Sequence, residues 1–149
     1  YNNIMKEKDK DIATLLTLSI DAFLVILLFN KSISTLKDKL YTYALFLVHF
    51  IFIYGMYHNT TFIIDASHIA ICLCILIAPI LDSFFLKPIH LLLLLAIRFL
   101  WLYKGYCILM TSNIEGCGNF FTIIAAIWTI FLSFMLYINH GRNVSFSVS

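Results

Sequence analysis

Long apolar stretches separated by short polar connections dominate the chain. The apolar stretches occupy residues 12–29, 40–57, 62–81, 90–103 and 120–138. A helix rises about 1.5 Å per residue, so most of these stretches can cross roughly 30 Å of hydrocarbon. None shows the strict alternation of a lipid-facing barrel strand, and a helix satisfies its own backbone hydrogen bonds within a membrane. The pattern predicts an all-α fold, a polytopic transmembrane helical bundle of four to five helices forming a single domain over residues 1–149.

The fourth stretch is the shortest. HLLLLLAIRFLWLY is interrupted by Arg98 and followed closely by Lys104. Such a segment can cross the bilayer at a tilt, end early, or dip in and return. The helix count of four to five reflects these alternatives.

Polar connections indicate how the spans are joined. The connection NKSISTLKDK, residues 30–39, is expected to lie in water, and the short YHNTT segment predicts an antiparallel hairpin of the second and third spans. The first span follows a polar, lysine-bearing start and is expected to be a signal anchor that is kept. Lysines and arginines are nearly balanced between the two sides, so the positive-inside rule does not fix the orientation.

Composition agrees with a membrane protein. Hydrophobic residues make up 62% of the chain, charged residues 12%, and the mean hydropathy is +0.94. The net charge of +2 is scattered, which leaves no basic stripe for nucleic acid. No sequence signature of a soluble-type enzyme occurs. The expected partners are the lipid bilayer and other membrane proteins in an assembly.

Ionisable residues within the apolar stretches are the candidates for function. Each costs about 2.5–3.5 kcal/mol at the centre of a span, so each needs a partner or a purpose. The candidates within the stretches are Asp21, His49, Asp65, His68, His90 and Arg98, and Glu115, between the fourth and fifth stretches, is a further candidate. Asp21 and Arg98 both lie in the middle of a stretch, which predicts an ion pair between the first and fourth helices.

The third stretch carries a polar face. Asp65, His68 and Cys72 follow a spacing of three and four residues, which places them on one side of a helix. Their spacing lacks a matching second set of ligands, so no metal site is predicted. His49 and His68 stand on different helices and form the candidate ligand pair for a haem, the alternative to a protein without cofactor.

The four cysteines indicate no disulfide scaffold. Cys72 and Cys74 fall on different faces of a helix and are expected to be small core residues. Cys107 and Cys117 flank a loop, where a disulfide is one alternative and free thiols the other.

One segment, residues 68–115, resembles small uncharacterised polytopic membrane proteins of large DNA viruses and some microbes. The resemblance consists of a histidine, a proline closing one span, a second histidine, and then a tryptophan, a cysteine and a glutamate. The matching residues are His68, Pro79, His90, Trp101, Cys107 and Glu115. The chain departs from that pattern at Leu100, where the family has a histidine. The resemblance implies a viral-like multi-pass membrane protein and no particular chemistry.

Three functions follow from the sequence. The first is a non-enzymatic structural or accessory component of a membrane assembly. The second is a proton-, ion- or electron-handling membrane subunit that uses the intramembrane ionisable residues. The third is an intramembrane enzyme with His68, His90 and Glu115 gathered at one membrane edge.

Overall fold

The fold is all-α. A computed structural model describes residues 6–105, 123 and 126–138, and no strand occurs among them. The helices are α1 (Glu7–Phe29), α2 (Leu36–Tyr57), α3 (Thr61–Ile77), α4 (Leu86–Lys104) and α5 (Ala126–Ile138), and a 3₁₀ turn, Ala78–Ile80, follows α3. This confirms the predicted fold class.

Four helices are long and apolar enough to cross a membrane. They are α1, α2, α3 with its 3₁₀ turn, and α4, with 23, 22, 20 and 19 residues respectively. At about 1.5 Å per residue they span roughly 28–35 Å, which matches the hydrocarbon core. Their lengths and composition are those of transmembrane helices in a multi-pass membrane protein. Helix α5 is a shorter apolar helix of 13 residues, and the rest of the predicted stretch 120–138, apart from Ile123, lies outside the described residues.

The fourth segment forms one unbroken helix. It begins at Leu86, before the predicted residue 90, because Pro88 falls in the first helical turn, where its missing N–H is not needed. It ends at Lys104, and Gly105 follows in the left-handed conformation, φ 77°, that favours glycine. A segment that dips in and returns would need a break, and α4 contains none.

Helix α2 starts four residues earlier than the sequence pattern predicts. The side-chain oxygen of Thr35 accepts a hydrogen bond of 3.2 Å from the backbone N–H of Asp38, which caps the helix at Leu36. The expected water-exposed connection is correspondingly shorter. Ile33 within it is buried in the core, and so is Asp38.

Tight turns join the first two pairs of helices. At the end of α1 the N–H groups of Lys31 and Ser32 bond back to Leu28 and Leu27. The end of α2 repeats this pattern, since Asn59 N–H bonds to Met56 O and Thr60 N–H to Gly55 O. Both are Schellman motifs, and Lys31 and Asn59 have the positive φ values, 56° and 53°, that the motif requires. Each turn reverses the chain into an antiparallel hairpin.

The two ends of the bundle are distinct. Face A carries the start of α1, the α2–α3 turn and the end of α4, and face B carries the other two connections. At face A, Lys104 Nζ lies 3.1 Å from Asp9 Oδ1. At face B, Ser83 Oγ donates to Ser32 O at 3.3 Å. These contacts fix an up-and-down order of α1 to α4.

The core consists of two hydrophobic clusters stacked along the bundle. One includes Phe52, Met56 and Ile64, and the other includes Leu45 and residues of the face B connections. Helix α5 inserts between them: Trp128 contacts both clusters and its Nε1–H donates to Ile75 O at 3.0 Å. The described part of α5 is thus packed on the bundle.

Candidate functional site

A buried acid–base pair joins α1 to α2. His49 Nδ1 lies 2.6 Å from Asp21 Oδ1, and the His49 side chain is 2% exposed, against 21% for Asp21. Two apolar helices place these groups together, because each carries a single ionisable residue in its central turns. The distance is short for a hydrogen bond between a ring nitrogen and an oxygen.

The predicted ion pair of Asp21 with Arg98 is wrong, and depth explains why. Asp9 and Lys104 mark the same level at face A. Asp21 is twelve residues along α1 from Asp9, about 18 Å, whereas Arg98 is six residues along α4 from Lys104, about 9 Å. The two side chains therefore emerge at levels roughly 9 Å apart. His49 supplies the partner of Asp21 instead.

A second buried pair joins α4 to α2. His90 Nε2 is within hydrogen-bond distance of the Tyr41 hydroxyl, and the two rings are tilted with centroids 5.4 Å apart. His90 Nδ1 lies 2.6 Å from Leu86 O of its own helix. The Tyr41 hydroxyl also lies 2.9 Å from Cys74 O on α3. One buried imidazole thus connects three helices through a single phenol.

The hydrogens of this cluster can be counted. A carbonyl oxygen only accepts, so His90 Nδ1 carries a hydrogen for Leu86 O. The Tyr41 hydroxyl has one proton and two acceptors within reach, Cys74 O and His90 Nε2. If the phenol donates to Cys74 O, Nε2 must carry its own proton to bond the phenol. All three hydrogen bonds therefore form together only when His90 is the imidazolium.

The neutral form of His90 is also satisfied. The Tyr41 hydroxyl then donates to Nε2, and Cys74 O still accepts the backbone N–H of Ala78. Converting one form into the other requires rotation of one O–H bond and the gain or loss of one proton. The hydrogen bonds among His90, Tyr41, Leu86 and Cys74 can therefore be satisfied with His90 either neutral or cationic.

The two buried pairs share helix α2, which supplies His49 to one pair and Tyr41 to the other. Asp21, His49, His90 and Tyr41 are termed here the polar series, which draws on α1, α2 and α4. His90 lies four residues into α4, about 6 Å from face B, so the series reaches toward that end of the bundle.

The polar face of α3 lies elsewhere in the bundle. His68 Nε2 is 3.7 Å from Cys72 Sγ, and the charge of Asp65 acts on His68. Cys72 and Cys74 are free thiols. Cys107 and Cys117, and with them the predicted alternatives of disulfide or free thiols, lie outside the described residues.

The two histidines of the haem hypothesis lie on helices that are packed against each other. Helix α2 packs directly on α3, and His49 on α2 and His68 on α3 are both buried. His49 Nδ1 is bonded to Asp21, and His68 Nε2 is in contact with Cys72. A haem between the two rings would require the helices to separate, and its binding stays a prediction. Within the described ranges, no three His, Cys, Asp or Glu side chains are grouped for a metal ion.

The third function predicted from the sequence, an intramembrane enzyme, requires that His68, His90 and Glu115 lie together at one membrane edge. His68 lies seven residues into α3 from face A, about 10 Å, and His90 lies about 6 Å from face B. The two histidines therefore lie at levels roughly 10 Å apart along the bundle, and the structure does not bring them together at one edge. Glu115 lies outside the described residues.

Sequence reasoning missed Tyr41 and Asp38. Tyr41 lies near the start of the second apolar stretch, a position typical of an interfacial anchor, yet its hydroxyl bonds His90. Asp38 is buried at face B, where its carboxylate accepts the backbone N–H groups of Asp82 and Ser83 at 3.1 and 2.7 Å. The sequence does contain one indication for Asp38: it follows Thr35 by three residues, which is the spacing of a helix capping box.

Comparison with protein-family models, curated proteins and solved structures finds no match. The resemblance to viral and microbial membrane proteins therefore stays a prediction.

Proposed function

We propose that this multi-pass membrane protein handles protons, with His90 as the group that takes up and releases the proton. The observation that carries the proposal is the hydrogen count at His90: the same heavy-atom positions satisfy both the neutral and the cationic ring. Burying a charge without hydrogen bonds is costly, and here the cation gains one at each ring nitrogen.

The Asp21–His49 pair supports the same function. A carboxylate and an imidazole 2.6 Å apart can hold one proton between them, deep in the apolar region. Both pairs draw on α2, which supplies His49 to one pair and Tyr41 to the other.

The test is proton flux into liposomes that contain the full chain and a trapped pH-sensitive dye, driven by a potassium diffusion potential. The wild type is expected to acidify or alkalinise the lumen faster than empty liposomes. His90→Gln and His49→Gln should remove the added flux, and Tyr41→Phe should reduce it. Tyr43→Phe, a change on the exposed side of the same helix, and His58→Gln in the α2–α3 turn are matched controls and should retain it.

Two results would contradict the proposal. One is a wild-type flux equal to that of empty liposomes in preparations whose helical content and monodispersity are intact. The other is a flux that His90→Gln and His58→Gln change equally.

A structural or accessory role in a membrane assembly is the second candidate. Its supporting observation is Asp21, whose side chain keeps 21% exposure in the middle of α1, the least buried of the four long helices. A carboxylate exposed at that depth is costly against lipid and would be covered by a partner helix. Cross-linking from Val25→Cys, which is exposed one turn after Asp21 on the same face of α1, should then give a larger species in native membranes, whereas Leu92→Cys on α4, also exposed, should not.

A further inference from the structure

A cleft opens at face A between the first turns of α1 and the end of α2. Its volume is about 400 Å³, within the range of ligand-binding pockets in proteins. The α1 side is lined at intervals of three and four residues, so one face of the helix forms a wall. No residue of the polar series lines the cleft, so the proposed proton handling does not explain it.

The mouth of the cleft is charged with both signs. Lys10 Nζ lies 2.7 Å from Glu7 Oε1 and 2.6 Å from Asn59 Oδ1, which holds the ammonium between α1 and the α2–α3 turn. Asp11 adds a second carboxylate, and the exposed ring of Tyr57 stands on the opposite wall. With two carboxylates and one ammonium, the formal charge of the mouth is −1.

The floor of the cleft is apolar and lies deeper in the membrane. Leu15, Leu18 and Met56 line it, and Leu15 and Leu18 are exposed to the cleft and its surroundings. From Glu7 to Leu18 the helix rises about 16 Å. The cleft thus changes from charged to apolar over the distance that separates a lipid headgroup from the middle of its acyl chain.

We propose that this cleft binds one zwitterionic phospholipid. The ammonium of the headgroup is placed against Glu7 and Asp11, with the Tyr57 ring available for a cation–π contact, and the phosphate against Lys10. One acyl chain lies along Leu18. A net negative mouth disfavours an anionic lipid, whose headgroup has no ammonium to offset the two carboxylates. The apolar floor disfavours a water-soluble ligand.

Native mass spectrometry of the full chain, extracted from membranes containing equal amounts of phosphatidylcholine and phosphatidylglycerol, tests the proposal. The wild type is expected to retain one phosphatidylcholine. Leu18→Trp fills the floor and should lower retention about tenfold, the equivalent of losing about two buried methylene groups. Ile26→Trp is the matched control, because Ile26 is exposed to the same 52% on α1 but lies outside the cleft.

A charge reversal supplies the second variant. Asp11→Lys changes the formal charge of the mouth from −1 to +1 and should shift retention toward phosphatidylglycerol by about two- to fivefold, the range for exposed ion pairs. Asp11 is exposed, so the variant should fold. Wild-type protein that retains no lipid, or prefers phosphatidylglycerol, would overturn the proposal, and so would equal lipid retention by Leu18→Trp and Ile26→Trp. Lipid retention is measured without any proton flux, so this test can fail or succeed whether or not the protein handles protons.

Discussion

Removing the Asp38 carboxylate should destabilise the bundle more than any change to an exposed ion pair at the same face. Asp38 is 1% exposed and accepts two backbone hydrogen bonds from the α3–α4 connection, from Asp82 N at 3.1 Å and Ser83 N at 2.7 Å. Asp38→Ala leaves both N–H groups without this acceptor. The carboxylate is therefore the contact that holds the connection against the start of α2.

The expected loss of stability follows from the two hydrogen bonds that the Asp38 carboxylate accepts. A hydrogen bond to a charged group contributes about 1.5–3 kcal/mol, so the pair contributes about 3–6 kcal/mol before water reaches the vacated site. Face B is close to water, and we expect about 3 kcal/mol for Asp38→Ala. Asp38→Asn keeps one carbonyl oxygen and should lose about half as much. Asp82→Ala removes only the 2.9 Å pair with Lys37, whose side chains are about half exposed, and should cost about 0–1 kcal/mol.

Reversible unfolding in mixed detergent micelles, with increasing dodecyl sulfate, measures these differences. Tryptophan fluorescence reports the transition because Trp128 is packed against both core clusters. Among the three variants, Asp82→Ala should be the most stable, Asp38→Asn intermediate and Asp38→Ala the least stable. If Asp38→Ala and Asp82→Ala unfold within about 0.5 kcal/mol of each other, the inferred role of the buried carboxylate is wrong.

Three further changes test the packing. Gly55→Ala should destabilise by about 1–3 kcal/mol in the same unfolding assay, because the added Cβ would lie 2.8 Å from Ile63 Cγ2; a neutral result would show that the α2–α3 contact is loose. Trp128→Phe should cost about 0.5–1.5 kcal/mol through loss of the bond to Ile75 O, and an unchanged midpoint would refute that bond. Lys31→Gly should stabilise by about 1 kcal/mol, since glycine adopts φ 56° without steric cost; destabilisation would argue against the turn described above.

Hydrophobic patterning was sufficient to predict the helices. Over its described residues each long apolar stretch is helical, as expected where a membrane leaves the backbone no other way to satisfy its polar groups. The ends were harder to predict, as α2 shows. Its first turn consists of polar residues that patterning assigns to water, yet Thr35 caps it and Asp38 is buried under the α3–α4 connection. Capping chemistry and a distant backbone, rather than hydropathy, set that boundary.

The partners of the intramembrane residues depended on depth, which a one-dimensional pattern does not contain. Asp21 and Arg98 both appear central in their stretches, but antiparallel helices place them at different levels, and His49 is at the right level for Asp21. His90 and Tyr41 are 49 residues apart in sequence. Nothing local in either segment signals that they meet, because their contact follows from the order and register of the whole bundle.

The contact between Asp9 and Lys104 has a consequence for biosynthesis. The two residues are separated by 95 positions, and Asp9 is buried at face A. At roughly 5–20 residues per second, the ribosome adds Lys104 about 5–20 seconds after Asp9 has been made. During that interval the contact between the two residues cannot form. A chain that stops after α3 would lack Lys104, so the ion pair that joins the start of α1 to the end of α4 is completed only when α4 has been made.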